Sequence, residues 1–263
     1  MAANLLNFFR GLIVFRWKPN KDLLVVGISW MLVVASLYTA TVIIGADTGG
    51  GIPYFLIYAI LTATVFGIGL PVYWMVFRKK RSISDLGITK KHLLISLVLQ
   101  VVFAAIVLPG GFKGQTLPAF EQLVPLIFLA LTIGFFEAIF WRGWVLLRLE
   151  EAFGFIPAAL IGSVMYAAYH IGYDMPVNEM TFLFFIGLMY AVAFRLTGSI
   201  FILWPLFQPG GQLITLVKEG LMLPLIASLG FVEVLILMIV ILWLSSKYLK
   251  KFIQKRESVT QSI

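Results

Sequence analysis

Runs of apolar residues long enough to cross a bilayer recur along the whole chain, and charged residues gather in the short breaks between them. A crossing helix needs about 20 apolar residues, within a range of about 17–25. Eight segments qualify: 23–46, 53–77, 93–109, 123–149, 154–173, 181–195, 199–217 and 221–248. The sixth is short, and the seventh is interrupted by Gln208-Pro-Gly-Gly-Gln212. The pattern predicts an all-α, polytopic transmembrane bundle of about eight spans, with no internal repeat and no low-complexity linker. The first 22 residues carry Arg10 and Arg16 within an apolar run and have no small-residue cleavage site, so they are expected to form a retained interfacial amphipathic helix. Residues 23–248 then form a single bundle, and 249–263 a basic tail.

Composition agrees. Of the 263 residues, 61% are hydrophobic and 12% charged, against about 25% charged in a soluble domain. Cysteine is absent, which excludes disulfides, thiolate catalysis and Cys-ligated zinc or iron–sulfur sites. A net charge of +8 would suggest nucleic acid as a partner in a soluble protein; here the cations sit in loops and tails between spans, so no nucleic-acid partner is expected. One side collects Arg10, Arg16, Lys18, Lys21, the cluster within 78–91, Arg148, Arg195 and the five cations of 247–256, leaving Lys113 and Lys218 on the other. That asymmetry predicts a multi-pass protein of the cell membrane with both termini cytoplasmic. Omitting any one span would scramble the alternation, which supports the weak sixth and seventh.

Candidate chemistry lies in the few ionisable groups inside the spans. Glu137 and Arg142 occupy the fourth, His170 the outer end of the fifth, and Glu233 the eighth. An ionised side chain at a span centre costs about 2.5–3.5 kcal/mol on insertion scales, so such groups need partners or water inside the bundle. Five residues separate Glu137 from Arg142, which in an α-helix places them about 140° apart around the axis and about 7.5 Å along it. His170 follows Tyr166 by one turn, on the same helix face. Glu233 has no partner evident in sequence and is expected to sit at a helix contact, and His92, beside Lys90 and Lys91, is expected to be solvated. The Pro-Gly-Gly break between Gln208 and Gln212 reads either as a kink or as a broken helix offering donors to a wet cavity.

These residues resemble the CPBP family of intramembrane proteases, which includes the type II CAAX prenyl endopeptidases and bacteriocin-processing proteins. Its first motif, Glu-Glu-x-x-x-Arg followed by Gly, is matched by Glu137, Arg142 and Gly143, and its second, Phe-x-x-x-His, by Tyr166 and His170. The stretches Arg-Leu-Thr-Gly-Ser-Ile before the seventh span and Ser-Ile-Ser-Asp-Leu-Gly-Ile in the second loop are also similar, and the resemblance covers roughly residues 80–215. Two positions depart: Ala138 stands at the second glutamate, and the last motif's His-x-x-x-Asn/Asp is replaced at best by Gln208-x-x-x-Gln212.

The resemblance implies Glu137 as the base that activates water, His170 as its partner, and Gln208 and Gln212 as neutral donors to the oxyanion, with Arg142 completing the motif. A catalytic zinc takes about three protein ligands, and His170, Glu137 and Glu233 are the sole buried candidates, so neither metal nor other cofactor is expected. The implied activity is intramembrane endopeptidase cleavage of a peptide or membrane-protein substrate, prenylated substrates included, in membrane lipid. A catalytically inactive member of the fold, binding a peptide, lipid or partner protein, is the alternative that the two departures motivate. A small-solute transporter is a third reading, opposed by the lack of an inverted repeat.

Overall fold

The computed structural model describes residues 14–45 and 51–261. Among them, seven helices are long and apolar enough to cross a membrane: α1 (Lys21–Gly45), α2 (Ile52–Arg78), α3 (Leu93–Phe112), α4 (Phe120–Phe153), α5 (Phe155–Tyr173), α6 (Val177–Thr197) and α8 (Ala227–Gln261). Between α6 and α8 lies α7 (Phe207–Lys218), which is only about 18 Å long. The expected seventh crossing is therefore a short helix entered through the irregular segment 199–206, not a continuous span. Pro209 falls in its first turn, where an amide has no intrahelical acceptor, so proline opens this helix instead of kinking it. The Leu206 amide donates to the buried Gln100 side chain at 3.0 Å, which fixes the entry.

The N-terminal amphipathic helix expected over residues 1–22 lies mostly outside the described residues. Residues 14–20 are non-helical, and the amides of Arg16 and Lys18 donate to the carbonyls of Phe153 and Ala152 at 3.0 and 2.9 Å. Asn20 caps α1, its side chain accepting from the Asp22 amide at 2.8 Å. At the other terminus, the basic tail is a continuation of α8 as far as Gln261.

The most thoroughly buried span is α4, around which the others pack. Phe140, Trp141, Trp144, Phe194 and Phe207 lie in one core with α1, α2 and α5. Three indole N–H groups in this interior find acceptors: Trp144 donates to Ser29 Oγ, Trp30 to the Met165 carbonyl and Trp204 to the Leu131 carbonyl, each at 3.0 Å, whereas that of the buried Trp141 has no hydrogen-bond partner. Beneath the basic end of α4, the loop 79–92 is held by Arg81, which forks onto the Glu151 carboxylate at 2.8 and 3.3 Å and also reaches Asp85. Those contacts hold the Arg81 guanidinium's pKa above its ordinary value. Arg148, fully buried, shares Glu151 and donates to the Asp85 carbonyl at 3.2 Å.

Close approach, not flexibility, explains several glycines. A Cβ on Gly143 would meet the Leu86 carbonyl oxygen at 2.0 Å, backbone against backbone. One on Gly134 would meet the Pro209 ring at 2.7 Å, so α7 rests directly on α4 one turn before Glu137. Gly143→Ala should therefore destabilise the fold by about 1–3 kcal/mol, read as earlier thermal unfolding in detergent. Gly110→Ala, where the added methyl meets nothing within 4 Å, should show no such loss.

Candidate active site

Glu137 lies about halfway along α4 and is 1% exposed. Its carboxylate accepts three hydrogen bonds from two other helices. Tyr169 Oη on α5 donates to Oε1, and Gln208 Nε2 and Gln212 Nε2 on α7 donate to Oε2 at 2.7 and 2.8 Å. All three partners are donors, which is the arrangement an ionised carboxylate requires. The spacing of Gln208 and Gln212 puts both on one face of α7, and the glycines between them let that face come close: Gly211 leaves room for Tyr190 and Gly210 for Leu108. The interrupted segment thus offers side-chain amides to the carboxylate. Each amide keeps a second N–H beyond the one given to Glu137.

Arg142 does not bond Glu137. Immediately after Glu137 the helix widens over Ala138–Leu146 to i→i+5 hydrogen bonding, so the 140° separation of an α-helix no longer applies. The guanidinium is buried between the rings of Tyr166 and Tyr190, 5.3 and 5.9 Å from their centroids, with Nη1 and Nη2 lacking hydrogen-bond partners. Its charge acts on Glu137 through space.

His170 stands where α5 tightens into a 3-10 turn, Tyr169–Tyr173. Its Nδ1 lies 2.9 Å from the Tyr166 carbonyl, which can only accept; Nδ1 therefore carries the proton, and Nε2 is left as the acceptor of the neutral ring. Tyr166 serves His170 through its backbone and Arg142 through its ring. No direct His170–Glu137 hydrogen bond forms; Tyr169 lies between them, its ring centroid 4.2 Å from that of His170. Sequence reasoning missed Tyr169. The available signal was a phenol inside an apolar span, since a buried hydroxyl needs a partner.

Glu137, Tyr169, His170 and Gln212 all line one cavity of about 1160 Å³. Its walls are apolar, from Phe55, Leu108, Phe182, Leu183, Ile186 and Phe231, and a second pair of phenols, Tyr58 and Tyr173, hydrogen-bond across it at 2.8 Å. Its rim carries Asp174, Glu179 and Glu219 with Lys218. Burial and then the nearby Glu179 carboxylate push the Glu219 carboxyl above its ordinary range. Glu233 is exposed on the cavity wall and not buried at a helix contact, because the start of α8 borders the opening there. His92 is exposed, as its basic neighbours suggested. Among the described residues, no three His, Cys, Asp or Glu side chains come close enough to hold a metal ion.

Residues 119–206 match the family model described as type II CAAX prenyl endopeptidase Rce1-like. Over that stretch the chain is similar to the Rce1-like family. The Rce1-like segment carries Glu137, Arg142, Tyr169 and His170 and ends two residues before Gln208, so the departure in the last motif lies just beyond it. No curated protein and no solved structure matches the chain.

Tyr169→Phe keeps the ring and removes one donor from the carboxylate. A hydrogen bond to a charged group is worth about 1.5–3 kcal/mol, so this variant should unfold measurably earlier on heating in detergent. Tyr38→Phe, altering a phenol exposed on the surface, is the matched control and should not.

Proposed function

We propose that this protein is an intramembrane endopeptidase of the cell membrane, with Glu137 as the base that activates water. The observation carrying this reading is a buried carboxylate that accepts three hydrogen bonds on the wall of a large cavity, inside an Rce1-like segment. Glu137 takes a proton from a cavity water, and the hydroxide attacks the peptide carbonyl carbon. His170 Nε2, an acceptor on the same wall, orients that water. The spare N–H of Gln212, which lines the cavity, is the donor for the oxyanion, whereas Gln208, expected from the sequence as a second donor, is buried off the cavity wall and braces the carboxylate instead. When the tetrahedral intermediate collapses, the C–N bond breaks and the proton held by Glu137 passes to the leaving amine.

Arg142 acts as a positioning residue. Its cation keeps the buried site near electrical neutrality without bonding the base, leaving Glu137 free to accept the proton. The basic loops and tails between the spans orient both termini to the cytoplasm. Substrates are peptides or membrane proteins; the apolar wall suits a prenyl chain as well as apolar side chains. One observation favours a second reading, that of a binding protein without activity: Ala138, fully buried, removes the family's second carboxylate.

Cleavage of a membrane peptide by purified protein separates the two. Glu137→Gln should lower the rate by about 10²–10⁴-fold, the range for loss of a general base, and unchanged cleavage would remove Glu137 from the mechanism. Because the site's side chains provide no cluster of metal ligands among the described residues, a strong chelator should leave the wild-type rate unaltered; restoration of a chelator-inhibited rate by zinc would contradict this chemistry.

A further inference from the structure

Each crossing can be traced from one end of the bundle to the other, and the trace assigns the cavity to one end. Arg78, Lys79, Lys80, Arg81, Lys90 and Lys91 lie where α2 ends and α3 begins; Arg195 closes α6, and the cations of 247–256 close α8. All of them share one end of the bundle. The cavity is lined instead by residues at or before the middle of α2, α4 and α8, by α6 as far as Tyr190, by the ends of α3 and α5 and by α7 along its length. Its exposed rim residues, Gly51, Asp174, Pro176, Lys218, Glu219 and Met222, all belong to the opposite end, and none of the basic-end cations lines it.

The way from Glu137 to the basic end is closed. Phe140, Trp141, Arg142 and Trp144 follow it along α4 with at most 1% exposure, and Leu86, Ile200, Ile202 and Leu203 pack at that end with none. Water and substrate therefore reach Glu137 from the end that is poor in cations. Lysine- and arginine-rich loops remain cytoplasmic, so that end is the outer one.

We infer that the cavity is entered from the outer face of the membrane and takes an apolar polypeptide segment presented on that side. The polypeptide class rests on the endopeptidase reading; the direction of entry does not. The size supports a chain segment: small-molecule pockets run to about 300–1,000 Å³, and this cavity, at about 1160 Å³, exceeds them. Between the charged rim and Glu137 the wall of the route is lined mainly by apolar side chains.

The absence of cysteine makes a direct test available, since every introduced thiol is the sole one. Glu219→Cys and Asp174→Cys probe the rim, Met189→Cys the cavity wall, and Ser84→Cys the exposed basic loop. A membrane-impermeant thiol reagent is applied to intact cells and then to permeabilised ones. The rim cysteines, and Met189→Cys with a small charged methanethiosulfonate, should react in intact cells, whereas Ser84→Cys should react only after permeabilisation. The reverse pattern overturns the inference, as does a Met189→Cys thiol that reacts solely from the Ser84 side, or rim thiols that react under neither condition. Labelling as expected with no cleavage would count against the endopeptidase alone; cleavage with reversed labelling would count against the direction alone.

Discussion

A carboxylate buried at mid-membrane depth is the constraint around which this bundle is arranged. In that position Glu137 must be neutralised or surrounded by donors, because lipid offers neither water nor counter-ion. The protein supplies a phenol from α5 and two amides from α7, so three helices are obliged to meet at one point. Other features follow from that meeting. Gly134 has no side chain because Pro209 must come within contact of α4 there, and Gly211 has none because Tyr190 occupies its place. The short α7 is short because it delivers two amides into the interior, and Gln100 satisfies the amide at its entry, where the irregular backbone is buried in protein.

Arg142 shows how two opposite charges can stabilise one another without forming a salt bridge. A bidentate contact would fill the lone pairs that Tyr169, Gln208 and Gln212 now occupy. Aromatic faces offer an alternative: a desolvated guanidinium gains about 2 kcal/mol or more over a ring, and Tyr166 and Tyr190 flank it on two sides. The cost is the two Nη groups left without acceptors. Local widening of α4 over Ala138–Leu146 allows this placement, and such departures from α geometry frequently occur at functional sites.

How much of this was legible beforehand divides along a physical line. Long apolar stretches declare themselves, because crossing a bilayer imposes length and composition directly, and six of the eight expected segments became full spans close to their expected bounds. The last also became one, although it begins at Ala227, later than expected. The seventh failed because an apolar composition does not distinguish a crossing helix from a buried half-helix; the proline that hinted at a break marks a beginning. Within the site, Glu137, His170, Gln208 and Gln212 stood out as polar atoms in apolar surroundings. Tyr169 did not, since a tyrosine reads as an aromatic in a hydrophobic run, and only the tertiary fold shows which face its hydroxyl takes. The i→i+5 stretch was equally hidden: ordinary helical periodicity gave the wrong angular relation between Glu137 and Arg142.

Two glutamines, Gln208 and Gln212, stand where the resembled family has a histidine followed by asparagine or aspartate, and they suit a different kind of site. An imidazole can titrate and so carry a proton between groups, whereas a glutamine amide holds fixed donors at every accessible pH. Gln208 and Gln212 can therefore brace the carboxylate, and Gln212 has an N–H to offer the cavity, but neither can shuttle a proton. In the proposed hydrolysis that role falls to Glu137 itself, with His170 as the imidazole on the cavity wall. Because Tyr166 fixes the Nδ1 proton, a single nitrogen, Nε2, is available to water or substrate. Proton traffic in such a site passes through one carboxylate and one ring nitrogen, and the remaining polar groups define where the water and carbonyl must lie.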